Sequence, residues 1–347
     1  MRLLWPGVGV TVVAVLFSVF VSRYVPALSP AVVAVVTGAA LANVARLAER
    51  SRTTAYLPTF EPGLAFVSRR VLRTAVALLG LQIALPQVLA LGWRTLAVVV
   101  VATGLTFAVT PLIGRRLGLS PGTSLLIATG VSICGASAIA AMRESTDLPD
   151  GDDAAAGALS VVVLYGTAAI AVIPLLASLV DLSPEQLGVW TGAAVHEVAQ
   201  VAAIGAASGV LAGAVTVKLA RVILLAPLVA LTSYRHRRAT ATATATVRPT
   251  DRPTERTARR LSRPPVVPLF VAVFLAMVAL RSTGWVPAPV VQAVPTVTNV
   301  LMAAALFGLG TGIDLRKLVK GGRAALLGGI ATAIIAATSL AGVVLVV

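Results

Sequence analysis

Acidic residues are scarce, 13 against 28 basic ones in a chain of 347. Only one of them, Glu197, falls inside an apolar run; the others fit loops, a linker or run ends. A single cysteine, Cys134, excludes an internal disulfide. Two histidines and one intramembrane carboxylate are too few for a metal site, and no metal or other cofactor is expected. Aromatics make up 5% of the chain and do not interleave with the basic residues, so the net charge of +15 does not describe a nucleic-acid surface. No nucleophile converges with a base; the serine of the GAS segment, Ser137, has only a distant histidine, and an enzyme is the least supported class.

What is abundant is hydrophobic length. The hydrophobic fraction is 58%, too high for a soluble domain of this size. About eleven apolar spans can be marked, near 3–21, 28–45, 64–84, 93–113, 120–142, 154–179, 184–206, 210–233, 266–283, 288–311 and 323–346. The first is too long for a signal-peptide core and is followed at once by another, which implies a retained helix. The expected fold is an all-α polytopic membrane protein, with the bilayer as its first partner.

Basic residues choose an orientation. With the N-terminus cytoplasmic, the inner loops hold Arg46, Arg50, Arg52, Arg69, Arg70, Arg115, Arg116, Arg316, Lys317, Lys320 and Arg323. The outer side holds Arg23, Arg94, Arg143 and Arg281 beside the acidic loop Glu144 to Asp153, and the C-terminus falls outside. Residues 235–264, biased to Thr, Ala, Pro and Arg, read as a disordered cytoplasmic linker.

The chain is organised around LSPEQLGVWTGAAVHEVAQVA, residues 182–202. It reads as a membrane helix started by Ser183 and Pro184, with Glu197 roughly 20 Å along it, inside a hydrocarbon core about 30 Å thick. An ionisable group at that depth points to function. Residues 28–48, LSPAVVAVVTGAALANVARLA, match it at LSP and TGAA and place Asn43 where Glu197 stands. The two copies lie five spans apart, which implies an inverted repeat of five plus five helices: an extra helix at 1–27, a first repeat at 28–181, and a second at 182–234 and 265–347. In that register span five pairs with span ten, and both are rich in small residues, 128–141 and 302–314, as broken helices are.

The candidate site follows. A break within Gly130–Ala141 would expose main-chain amides to an anion, with Ser132, Cys134, Gly135 and Ser137 beside them; close helix packing is the alternative use of the same small residues. Lys218 and Arg221 share a helix face and, with Arg73 of the paired span, would supply positive charge. Glu197 would gate by protonation, or else pair structurally with Lys218. His196, Gln200 and Asn43 complete the gating set, although His196 fits a packing role as well.

TGVSICGASAIAA, TGAAVHEVAQVAAIGAASG and VKLARVILLAP resemble the signature segments of the YeiH-type family of bacterial inner-membrane proteins, to which sulfate export is ascribed. ALANV, VLRTAVALLGLQI and ALFGLGTGID are similar to its weaker motifs, and the resemblance spans nearly the whole chain outside 235–264. It implies a fold like that of cation–proton antiporters and bile-acid symporters, with broken helices crossing in a mobile core. It also implies transport of a small oxyanion such as sulfate across the bacterial plasma membrane, with protons as coupling ion and a homodimer as an assembly to test. The acidic MRESTDLPDGDD departs from the more apolar segment that the family carries there. Cation–proton exchange at Glu197 and a non-transporting scaffold or sensor are the rival readings.

Overall fold

In a computed structural model, residues 4–24, 30–51, 57–146, 148, 151–245, 269–312 and 322–347 are described. In lipid every backbone N–H and C=O must be satisfied within the protein, and these residues are accordingly helical almost throughout. Six helical stretches are long and apolar enough to cross a membrane: Trp5–Tyr24, Gly92–Arg116, Asp153–Leu179, Leu211–Arg235, Ala288–Gly310 and Gly322–Val346. Exposed Leu16, Phe17, Val101, Leu112 and Leu175 face outward as bilayer contacts. Trp5, Trp93 and Trp285 stand exposed at helix ends, where interfacial aromatics belong.

The helices form two packed groups. One holds α1 (Trp5–Tyr24), α2 (Pro30–Ser51), α3 (Leu57–Phe66), α4 (Leu72–Leu79), α14 (Leu269–Ser282) and α15 (Ala288–Gly310). A π-helical turn, Val67–Val71, joins α3 to α4. Within this group α2 and α15 cross so closely that a Cβ on Gly38 would strike the Phe307 carbonyl, and one on Gly310 the Val35 carbonyl. The other group holds α6 (Gly92–Arg116), α7 (Pro121–Ser132), α8 (Ala136–Ser145), α9 (Gly151–Leu179), α10 (Pro184–Ala194), α11 (Val198–Ala207), α12 (Leu211–Ile223) and α16 (Gly322–Val346). Short α5 (Leu85–Leu89) links the groups, and α13 (Leu225–Ala245) continues α12.

Two pairs in the second group double back on themselves. Ser120 caps α7, which runs inward to a turn at Ile133–Gly135. A Cβ on Gly130 would then meet the Ile139 side chain at 2.7 Å, so α8 returns along α7. The Ser145 carbonyl at the end of α8 accepts from Ser233 Oγ of α13 at 3.1 Å, on the side where α6 ends at Arg116. From there α9 passes Gly135 at Val162 and buries Ala169, Ile173 and Ala177 against Val98 and Val343 at the far end. There α10 enters from the opposite side. Gly188 of α10 lies 3.5 Å from Val210, and Gly205 of α11 lies 2.8 Å from Leu211, on the added-Cβ measure. The start of α10 and the end of α11 therefore share the start of α12.

Several sequence expectations change here. Residues 182–202 are not one helix but a re-entrant hairpin whose extended tip is Val195–Glu197. Span five likewise returns to the side it came from, and it carries Arg143, Glu144 and Asp153 to the end that holds Arg115 and Arg116. Span ten, expected to be broken, is the unbroken α15. The two TGAA copies keep a shared packing role, since Gly192 abuts the Ala214 carbonyl as Gly38 abuts that of Phe307. They part afterwards: α2 runs on past Asn43, whereas the second copy turns. The linker expected to be disordered begins as helix, because α13 extends to Ala245; residues 246–264 lie outside the described residues, as do Arg52, Arg316, Lys317 and Lys320.

Candidate functional site

The last four carbonyls of any helix lack intrahelical donors. Ending α7 and α10 inside a membrane protein strands such carbonyls where water does not serve them. The turns recover one or two at each end: Ile133 N–H bonds Thr129 O, Gly135 N–H bonds Gly130 O, and Val195 N–H bonds Thr191 O. Of the others, the Val131, Ser132, Gly192 and Ala193 carbonyls are taken, with those of Ile133 and Val195 in the turns, by two cations one helical turn apart on α12.

Arg221 is fully buried and donates from Nε to Ser132 O (3.1 Å) and from Nη2 to Val131 O (2.8 Å), at the carboxyl end of α7. Its Nη1 reaches Gly192 O (3.3 Å), Ala193 O (2.7 Å) and Val195 O (2.9 Å), at the carboxyl end of α10. Lys218, equally buried, donates to Ile133 O (2.8 Å) and Val195 O (2.7 Å), one from each hairpin. Two negative helix ends thus converge on two cations, and one side chain after another ties the hairpin tips together.

The opposite polarity is met by Glu197. It is the N-cap of α11, and Gln200 Oε1 accepts from the Glu197 N–H at 3.1 Å. Its carboxylate also lies at the amino end of α8, against Gly135. Gly135 permits this approach. Its φ of +74° is a conformation that L side chains rarely adopt, and a Cβ there would strike Glu197 Cγ at 2.8 Å. The one carboxylate expected at membrane depth is therefore buried between two positive helix ends.

The remaining expected site residues divide. Cys134 Sγ and Ser137 Oγ lie 2.8 Å apart in the α7–α8 turn, beside Glu197. The Ser132 hydroxyl donates to Ala128 O within α7, so Ser132 contributes its carbonyl rather than its side chain. His196 packs fully buried with Nε2 3.0 Å from Thr332 Oγ1 of α16. Gln200 is buried too, and its Nε2 has no hydrogen-bond partner among the described residues. Asn43 is elsewhere, on α2, donating to Ala39 O. Arg73 does not join the cations: it is half exposed and pairs with Glu144 on α8, Nε to Oε2 at 3.0 Å. No ion pair joins Glu197 to Lys218 among the described residues; Lys218 bonds two main-chain carbonyls instead.

Three participants escaped the sequence reading. Thr332 carried no signal. Glu144 was assigned to the opposite face from the one where α8 ends. The break at residues 195–197 did leave a trace, since Glu197 and Gln200 have the spacing of an N-cap and its partner.

The arrangement defines a polytopic α-helical membrane protein in which two re-entrant hairpins from opposite sides meet at a buried charged centre. The chain belongs to the family described as conserved hypothetical protein 698, whose model matches residues 5–329, and this is the YeiH-like family of the sequence resemblance. It is similar to a UPF0324 membrane protein of Corynebacterium glutamicum, 37% identical over 98% of this chain and 92% of that protein. It is also similar to UPF0324 membrane proteins of Streptococcus pyogenes (30% identical; 97% and 95% covered) and Bacteroides thetaiotaomicron (30%; 85% and 82%). No solved structure matches the chain significantly.

Proposed function

We propose that the protein is a secondary transporter that exports a small oxyanion, with sulfate as the first candidate, through the centre where the hairpin tips meet. The observation that carries this reading is the charge at the tips. Two amino ends and two carboxyl ends of half-helices roughly cancel, at about half a charge each. Lys218 and Arg221 against Glu197 then leave the centre about one charge positive, which suits an anion and disfavours cation exchange. Hairpins entering from opposite sides are also the geometry that alternating access uses, with one group of helices moving against the other.

Orientation follows from charge. Arg46, Arg115, Arg116, Arg235 and Arg323 gather at one end against Arg23, Arg94 and Arg281 at the other, which makes the basic end cytoplasmic. The N-terminus is then inside and the C-terminus outside. An inside-negative potential of 100 mV favours leaving by about 2.3 kcal/mol per negative charge, so a dianion leaving by itself gains about 4.6 kcal/mol on export and one leaving with a proton about half that. The test is radiolabelled sulfate flux in proteoliposomes under an imposed potential, for wild type and Glu197→Gln. Flux that follows the potential and changes in the variant supports the reading. Absence of flux, with proton movement on adding sodium, replaces it with cation–proton exchange.

A further inference from the structure

We infer that Glu197 is a tethered anion occupying the very site that a transported anion takes, so that binding one requires protonating the other. The inference rests on the anion-transport reading and deepens it. Three observations carry it. The carboxylate is buried at the amino end of α8, where a Cβ on Gly135 would lie 2.8 Å from Glu197 Cγ and 3.4 Å from its Oε1, beside the Cys134–Ser137 turn. No ion pair holds it among the described residues; both nearby cations bond main-chain carbonyls instead. Gln200 Nε2, buried against Gly166 of α9 on the amide whose oxygen caps Glu197, has no acceptor among the described residues and is a donor in waiting.

Around Glu197, α12 presents Lys218 and Arg221, both bonded to main-chain carbonyls; the α7–α8 turn presents Cys134; α10–α11 presents Gln200 and His196, whose Nε2 meets Thr332 and whose Nδ1 has no partner among the described residues; α9 presents Val162, with Gly166 against Gln200. With Glu197 ionised, an incoming anion would meet a carboxylate at the α8 amides. Taking one proton from solvent neutralises that carboxylate, releases the amides, and raises the centre to about two positive charges. A dianion is then matched in charge, and the new carboxylic O–H becomes a donor toward it. Anion and proton are therefore bound together.

The experiment is calorimetric titration of purified protein with sulfate in buffers of different ionisation enthalpy, over pH 5.5 to 8, for wild type and Glu197→Gln. Where Glu197 is ionised, wild type should take up about one proton per sulfate and lose affinity about tenfold per pH unit, both effects fading at the acid end; the variant should take up none and bind independently of pH. Alkylation of Cys134 by N-ethylmaleimide, the chain having no other thiol, gives a second reading in wild type alone: saturating sulfate should slow it. Sulfate binding without proton uptake, or without protection of Cys134, overturns the tethered-anion inference while leaving anion transport in place. Sulfate bound by neither wild type nor Glu197→Gln overturns the anion reading itself.

Discussion

Arg221→Met separates a structural cation from a substrate ligand. The guanidinium donates to five carbonyls, of which Val195 O is shared with Lys218. Methionine fills much of the volume and makes none of these bonds, which strands the Val131, Ser132, Gly192 and Ala193 carbonyls. A buried unsatisfied polar group costs about 1–3 kcal/mol, so four cost at least about 4 kcal/mol, a large share of a typical total of about 5–15. The variant should fail to accumulate as a monodisperse species in fluorescence-detected size exclusion, or should melt far below wild type. Arg221→Lys keeps the charge but has three donors on one atom, and it should fall between the two. If Arg221→Met were made in normal amount with a wild-type melting profile, Arg221 would not be holding the hairpin tips, and a ligand role would return.

Other substitutions probe the remaining geometry. Gly135→Ala forces a side chain into a conformation worth about 1–3 kcal/mol of strain and into Glu197; thermal unfolding should register the loss, and unchanged stability would mean that the turn is not as described. Arg73→Ala removes a half-exposed ion pair worth about 0–1 kcal/mol, so melting and sulfate flux should both survive, and loss of flux would place Arg73 in the transport path after all. In a Cys134→Ser background, single cysteines at Ser145 and Arg116 should react with a membrane-impermeant thiol reagent from the same side; labelling from opposite sides would restore a crossing helix at span five.

Much of this protein was legible because hydrophobic length and the scarcity of intramembrane charge are properties of residues. They marked a membrane protein, singled out Glu197, Lys218 and Arg221, and located a break within Gly130–Ala141. The second break was missed for a physical reason. The halves of each hairpin, such as Pro184–Ala194 and Val198–Ala207, together match the length of one crossing. Hydropathy sums residues without regard to direction, so a helix that turns back reads like one that goes through. That error moved Arg143 and Glu144 to the wrong face, and it offered Arg73 to the site when its partner is the returning α8.

By itself, then, the sequence determined that the chain lives in lipid, which end is basic, and that Glu197, Lys218 and Arg221 lie deep, though it counted Arg73 with them. Only the tertiary structure decided what those side chains meet. Helix ends acquire their partial charges where the backbone stops, and the stops at Ser132 and Ala194 were fixed by Lys218 and Arg221 arriving from α12 to satisfy the carbonyls left over. The same stops created the amino ends at Ala136 and Val198, between which Glu197 came to rest.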